Sequence, residues 1–394
     1  MYRIEKYITI SFTSIAICAC FFMTFFSTPL IEDYKRVQFL CLAIVAVYLL
    51  VNSEYLIDLF RNKFGKLLFL VYFSASFLAA YLNLRQAVQR IPLNTTALYF
   101  AVLIEDYLLF RVICNRKLVI KLIDNFLAVS ASIMLIVDMM YIIMRRYIME
   151  NKFSVAYLHL IVILFFVLKY DVQTLKGRFF FVLLIAETLL IDLRTGCVTG
   201  VVGTIMMVTF MLLYEKKIYF SSNPVIVFVS IVVTALFPYW YTYILNSEIA
   251  RVIVEDVLHK KMTLTGRTVI YSNIPALLGD YYLIGYGLGT NHEISMRYGA
   301  SNIQNGLLRV IMESGLIGAI ALALIIVVAF VRNIKNKDSR VQAFSAYILT
   351  FIWLSTVEVT YSLSVIVITV LFAVLSNEKV GISKNSENIR MLNK

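Results

Sequence analysis

Apolar runs separated by short polar breaks recur along almost the whole chain. Most run for roughly 15–26 residues, and about 17 suffice for a helix to cross a ~30 Å hydrocarbon layer. Backbone in such a layer has no water to bond to, so helices are the expected form. The pattern predicts about twelve spans: 7–29, 37–52, 66–82, 96–113, 119–143, 153–170, 178–192, 197–214, 224–244, 306–331, 341–356 and 359–376. Span 178–192 is short, rising about 23 Å at 1.5 Å per residue, so it must thin the bilayer or lie partly re-entrant. Glu358 divides the last apolar stretch, which is too long for one span. The first run, Tyr7 to Pro29, is longer than a signal h-region and lacks a small-residue cleavage site, so it reads as a retained helix.

One region breaks the pattern. Between Leu245 and about Asn305 the chain turns polar and glycine-rich, and only then returns to an apolar helix. A long polar loop is where a lipid-facing protein can do chemistry in water. Composition agrees with the pattern: 61% of the 394 residues are hydrophobic and 15% charged, against about 25% charged in soluble domains. The class is therefore all-α, a polytopic integral membrane protein.

Charge sets the expected orientation. With a cytoplasmic start, the predicted inner loops and tail hold more Lys and Arg than the outer ones, as the positive-inside rule requires. Both termini are then cytoplasmic, and loop 245–305 is extracytoplasmic. The net charge of +12 is mostly this signal, with anionic lipid headgroups as adequate partners, so nucleic-acid binding is not indicated. The five cysteines fall in or beside apolar runs and show no ligand-like spacing with the three histidines. Neither a disulfide framework nor a metal site is read from that spacing, and no cofactor is expected.

Several outer arginines exceed what orientation needs. Arg85 and Arg90 lie in LRQAVQRIPLNTT, Arg194 in the tight turn IDLRTGC, and Arg267 in TGR. A guanidinium stays ionised and donates paired hydrogen bonds, which suits a diphosphate. Anchoring of helix ends at headgroups by snorkelling is the competing reading, and it is the better one for Arg145, Arg146 and Lys152.

The span from Ile191 to Gly318 resembles the O-antigen polymerase/ligase family (Wzy-type polymerases and O-antigen ligases). The resemblance rests on Arg194 in LRTG, Gly266-Arg267, the run Gly285, Gly287, Gly289, and the series Asn305, Leu308, Glu313, Gly315 and Gly318. It covers about a third of the chain. Two positions depart from the family pattern: Gln304 stands where a His often precedes the Asn, and Tyr271 where Trp is common. In the ligase branch that His belongs to the active site, so Gln304 points away from a ligase. The resemblance implies a GT-C-like glycosyltransferase that joins undecaprenyl-diphosphate-linked oligosaccharides at the outer face of a bacterial cytoplasmic membrane. A chain-length regulator and a flippase are the implied partners. Substrate contacts are expected at Arg85, Arg90, Tyr271, Gly287, Gln304, Asn305, Arg309 and Glu313.

Transfer from a lipid diphosphate develops charge on the leaving group, and preorganised cations lower that barrier. The outer loops carry no Asp-x-Asp pair to recruit a divalent metal, so Arg194 and Arg267 are the expected clamp. An acceptor hydroxyl calls for a base within hydrogen-bond reach. His292, Glu293 and Asp280 are the loop candidates; Glu313 is a fourth, with pairing to Arg309 one helical turn away as its alternative. The glycine run lacks both phosphate-loop spacings, so tight turns are its expected use. Tyr271, Tyr281, Tyr282, Tyr286 and Tyr298 read either as sugar-stacking groups or as interface residues.

Acids inside the apolar runs, Glu105, Asp106, Asp138 and Glu187, are expected to face the bundle interior. In a carrier they would relay protons, and a lipid-linked oligosaccharide flippase is the rival class. The long loop 245–305 favours the enzyme, because carriers place their sites near mid-membrane. The expected organisation is an N-terminal helical region 1–190, a core 191–331 containing loop 245–305, C-terminal helices 332–376 and a tail 377–394.

Overall fold

The computed structural model describes residues 2–26, 34–60, 63–83, 92–145, 147, 149–216, 219–245, 247–248, 252, 267–299, 302–336 and 338–375. Every regular element among them is a helix. Among the described residues, twelve longer helices overlap the twelve predicted apolar segments. They are α1 (Tyr2–Phe25), α2 (Tyr34–Val51), α3 (Lys63–Leu82), α4 (Pro92–Asn115), α5 (Val119–Met144) and α6 (Lys152–Lys169). Next come α7 (Leu175–Arg194), α8 (Val198–Glu215) and α9 (Pro224–Leu245). Three short helices occupy the polar loop: α10 (Arg267–Ser272), α11 (Ile274–Leu278) and α12 (Asn291–Met296). The chain closes with α13 (Gly306–Asn333), α14 (Ser339–Leu354) and α15 (Leu363–Leu375).

Five segments are long and apolar enough to cross a membrane on length and composition alone: Gly65–Leu82, Val119–Met144, Lys152–Lys169, Pro224–Tyr241 and Gly306–Asn333. The molecule's surface agrees. Leu40, Leu50, Leu70, Ile136, Ile143 and Leu183 each expose more than half of their area, a display that water would penalise and lipid would not. This is a membrane-embedded helical protein.

Local chemistry starts the helices. Asn151 accepts the Ser154 amide at 3.0 Å at the head of α6, and Thr174 accepts that of Gly177 at 3.1 Å at the head of α7. Each satisfies an amide that the helix itself leaves unpaired. Packing then orders the bundle: α13 runs against α3 and α9, α5 against α6, α14 against α6 and α8, and α15 against α4. Edge-to-face rings, Phe21 to Phe126 at 5.4 Å and Phe126 to Phe165 at 5.1 Å, join α1, α5 and α6.

A second, smaller apolar core sits under the polar loop. Tyr241 of α9, Ile270, Tyr271, Ile274, Leu277, Tyr286, Ile294 and Ile303 pack with Leu308 and Met312 of α13. The described part of the loop is thus a folded layer tied to two long helices. The calls for Arg85, Arg90 and the tail 377–394 lie outside the described residues, as do most of residues 246–266.

Candidate functional site

The glycine run of the loop meets α13 at a break in that helix. Gly315 has φ 69° and ψ 175°, a backbone conformation open essentially to glycine alone. The break frees helix groups, and the loop takes them up. Tyr286 N–H donates to Met312 O at 2.7 Å, Gly287 N–H to Glu313 O at 2.9 Å, and Leu316 N–H to Tyr282 O at 2.8 Å. Gly285, Gly287 and Gly289 all have positive φ. A Cβ on Gly285 would strike the Gly315 amide, and one on Gly287 would meet Pro92 Cβ at 2.9 Å and Ala80 Cα at 3.0 Å. Tight turns at close backbone approach therefore account for these glycines. Asn83 of the α3 end adds a bond, donating from Nδ2 to Gly285 O at 2.9 Å.

Glu313 fastens the same turn. Its Oε1 accepts the Gly289 amide at 3.1 Å, and its Oε2 lies 3.1 Å from Arg309 Nε. Both carboxylate oxygens are thereby engaged, and the Arg309 charge is matched within its own helix. Gly287, Arg309 and Glu313 are one structural unit.

Tyr271, Gln304 and Asn305 form a seam beside it. The Tyr271 hydroxyl donates to Gln304 O at 3.0 Å and toward Thr356 O at 3.4 Å. Asn305 caps α13 through Leu308 N–H at 2.9 Å while its Nδ2 donates to Thr234 O at 3.1 Å and Thr356 O at 3.3 Å. The Thr234 bond has a plain cause. Pro238 lies four residues further along α9 and has no N–H, so the carbonyl of Thr234 lacks its helical donor and Asn305 supplies one. Gln304 stands at φ 48°, uncommon for a side chain other than Asn or Asp.

The base candidates sit on the outside of this layer. His292 is exposed and opens α12 together with Glu293, which pairs with Arg297 at 3.5 Å. Asp280 is exposed in a single turn, Gly279–Tyr281. Arg267 begins α10, and its side chain lies outside the described residues. Tyr286 is buried beneath, donating its hydroxyl to Leu277 O at 3.0 Å. Burial first, then the nearby Tyr298 and Tyr281, raise its hydroxyl above the ordinary tyrosine pKa.

Arg194 lies at the end of α7, in a turn whose carbonyls are all held from outside. Tyr141 donates to Arg194 O at 3.0 Å, Tyr147 to Thr195 O at 3.2 Å and Lys152 to Gly196 O at 3.0 Å. The guanidinium itself is exposed, and no carboxylate among the described residues pairs with it. The turn and the loop layer belong to the same end of the bundle. Thr356, bonded by Tyr271 and Asn305, is in the α14–α15 connection, whose Glu358 lies within electrostatic range of Cys197 beside the turn.

Just inside that end, three helices bring together groups that the sequence scatters. His159 of α6 is fully buried, with Nε2 at 3.2 Å from Asp138 Oδ2 of α5 and 3.7 Å from Glu187 Oε1 of α7. Asp192, one helical turn beyond Glu187, is buried beside them. Asp138 and Glu187 were expected to face inward; Asp138 is buried, while Glu187 turns toward His159 but stays 34% exposed beside an open groove. His159 was missed. The signal was present: one imidazole in an apolar stretch, LHLIVILFF, flanked by spans that each carry two acids.

No family model matches the chain, and neither a curated protein nor a solved structure does.

Proposed function

We propose that this protein is a polysaccharide polymerase, joining lipid-diphosphate-linked oligosaccharide repeat units at the outer face of a bacterial cytoplasmic membrane. In this reading all twelve long helices span, both termini are cytoplasmic, the fold is GT-C-like and the α10–α12 layer lies outside. The lipid carrier is undecaprenyl diphosphate, and the product is a capsular, O-antigen or exopolysaccharide chain.

The observation that carries the reading is the Arg194 turn. Three donors fix its backbone and leave an exposed cation, without an acidic partner among the described residues, at the end of the bundle that bears the folded polar layer. A fixed guanidinium aimed at a departing diphosphate costs little reorganisation when charge develops there. Arg267 is the second clamp. The acceptor hydroxyl then approaches over the α12 side of the layer, where His292 and Glu293 lie, with Asp280 on the neighbouring turn.

The test is a gel of lipid-linked and surface glycans from a strain lacking the protein, complemented with wild type, Arg194→Ala or Arg267→Ala. Single repeat units on the outer-leaflet lipid, no ladder, and failure of both variants to restore it are the expected results. Full-length polymer from both folded, well-expressed variants would remove the clamp. Long chains stranded on lipid would make the protein a ligase-type transferase.

One observation favours a second reading. The Asp138–His159–Glu187 cluster, buried except at Glu187, is the kind of titratable group that carriers use. A lipid-linked oligosaccharide flippase would leave repeat units on the inner leaflet of the same deletion strain.

A further inference from the structure

We infer that Asp138, His159 and Glu187 form a binding site for one divalent transition-metal cation, zinc or manganese in class, between α5, α6 and α7. The three ligand atoms all lie within 4.8 Å of one another. Metal–ligand bonds of 2.0–2.2 Å place neighbouring ligands of a tetrahedral site about 3.4 Å apart. The separations from His159 Nε2, 3.2 Å to Asp138 and 3.7 Å to Glu187, bracket that value.

The imidazole is oriented for this purpose. His159 Nδ1 lies 2.9 Å from Val155 O, and a carbonyl only accepts, so Nδ1 carries the proton. In the neutral ring Nε2 then presents its lone pair to two carboxylates, whereas the protonated ring donates from Nε2 to Asp138 Oδ2. Metal-bound histidines are held in the same way, the second ring nitrogen donating to a fixed acceptor. With the ring neutral, three acceptors converge from three helices, a set that a cation completes in place of the Nε2 proton.

Charge balance points the same way. Asp138 Oδ1, Glu187 Oε2 and both carboxylate oxygens of Asp192 have no hydrogen-bond partner among the described residues. Asp192 is 1% exposed, and it lies close to Ala156, one turn before His159 on α6. A buried carboxylate without a partner is strongly disfavoured. A divalent cation on the three ligands offsets the charge of the two carboxylates that bind it. Entry is available, since Glu187 lines an open groove of about 490 Å³ between α5, α6 and α7.

The site is distinct from the glycan chemistry proposed above and does not depend on it. Its role is to tie α7, and with it the Arg194 turn, to α5 and α6. The cysteine and histidine spacing of the sequence shows no such site because its ligands come from three separate helices.

Full-length protein in detergent, stripped with a chelator, is titrated with zinc and with manganese by calorimetry, alongside a thermal-unfolding scan. One equivalent should bind and raise the melting temperature. His159→Gln and Glu187→Gln should each weaken binding at least about tenfold, whereas Glu150→Gln, an exposed acid between α5 and α6, should leave it unchanged. If His159→Gln does not fold, Glu187→Gln, whose side chain is 34% exposed, carries the comparison. No binding of either metal up to about 1 mM, or binding that both folded variants retain, would overturn the assignment. Proton uptake at this cluster without metal binding would overturn it too.

Discussion

Gly315 shows how one residue can set the geometry of a whole site. Its φ 69° and ψ 175° break α13, and the break exposes the carbonyls that hold the loop. A Cβ there would also run into Leu283 O. Gly315→Ala should therefore cost about 1–3 kcal/mol from backbone strain alone, with the clash added, and chemical denaturation of the detergent-solubilised protein measures it. An alanine variant as stable as wild type would mean that α13 runs straight. Tyr286 beneath the same loop gives a pH test. Its hydroxyl donates to Leu277 O and its pKa is raised by burial, so the folded state holds the proton more tightly than the unfolded chain does. The stability that the phenol contributes is complete below about pH 10, the unfolded value, and is lost as pH rises through the higher folded one. Tyr286→Phe should be about 1 kcal/mol less stable at pH 8, and its deficit should shrink above pH 10. A deficit independent of pH to 11 would disprove the account.

At the scale of elements, the start of α13 joins two helices and the α14–α15 connection through one side chain. Asn305 uses its oxygen to cap α13 and its nitrogen to bond the carbonyls of Thr234 and Thr356. Aspartate caps as well as asparagine does but has no hydrogen to give. Asn305→Asp should thus fare no better than Asn305→Ala, each losing about 2 kcal/mol or more in denaturant unfolding, because both leave buried carbonyls unsatisfied. Recovery by Asp would reduce Asn305 to an ordinary cap. The helices themselves were legible from hydrophobic runs: the predicted 306–331 and 119–143 lie within α13 and α5. The last span, expected from 359, begins at Leu363, since the Thr360 hydroxyl bonds Phe351 O and holds a turn first. The break at Gly315 could not be read, because a glycine in an apolar run signals equally a packing contact or a kink. Nor could the meeting of Asp138, His159 and Glu187, which depends on how α5, α6 and α7 pack. The pairing of Glu313 with Arg309 was readable from their spacing and is present; that Glu313 also holds Gly289, and its carbonyl Gly287, became visible only when the loop folded back.

Across the whole molecule, function depends on which residues share an end of the bundle. The Arg194 turn, the α12 layer and the α14–α15 connection meet at one end through Thr356, Glu358 and Cys197. The α6–α7 turn and the start of α14 meet at the other, around Gln173, Ser339 and Arg340. The apolar helix surfaces between them suit lipid, and in the proposed orientation the second end faces the cytoplasm. Single cysteines at His292 and Gly196, in a background without the native cysteines, should react with a membrane-impermeant maleimide on intact cells. Cysteines at Gln173 and Ser339 should react only after permeabilisation. If both pairs were labelled from the same side, the bundle would not span as described, and Arg194 could not meet a substrate delivered at the outer face.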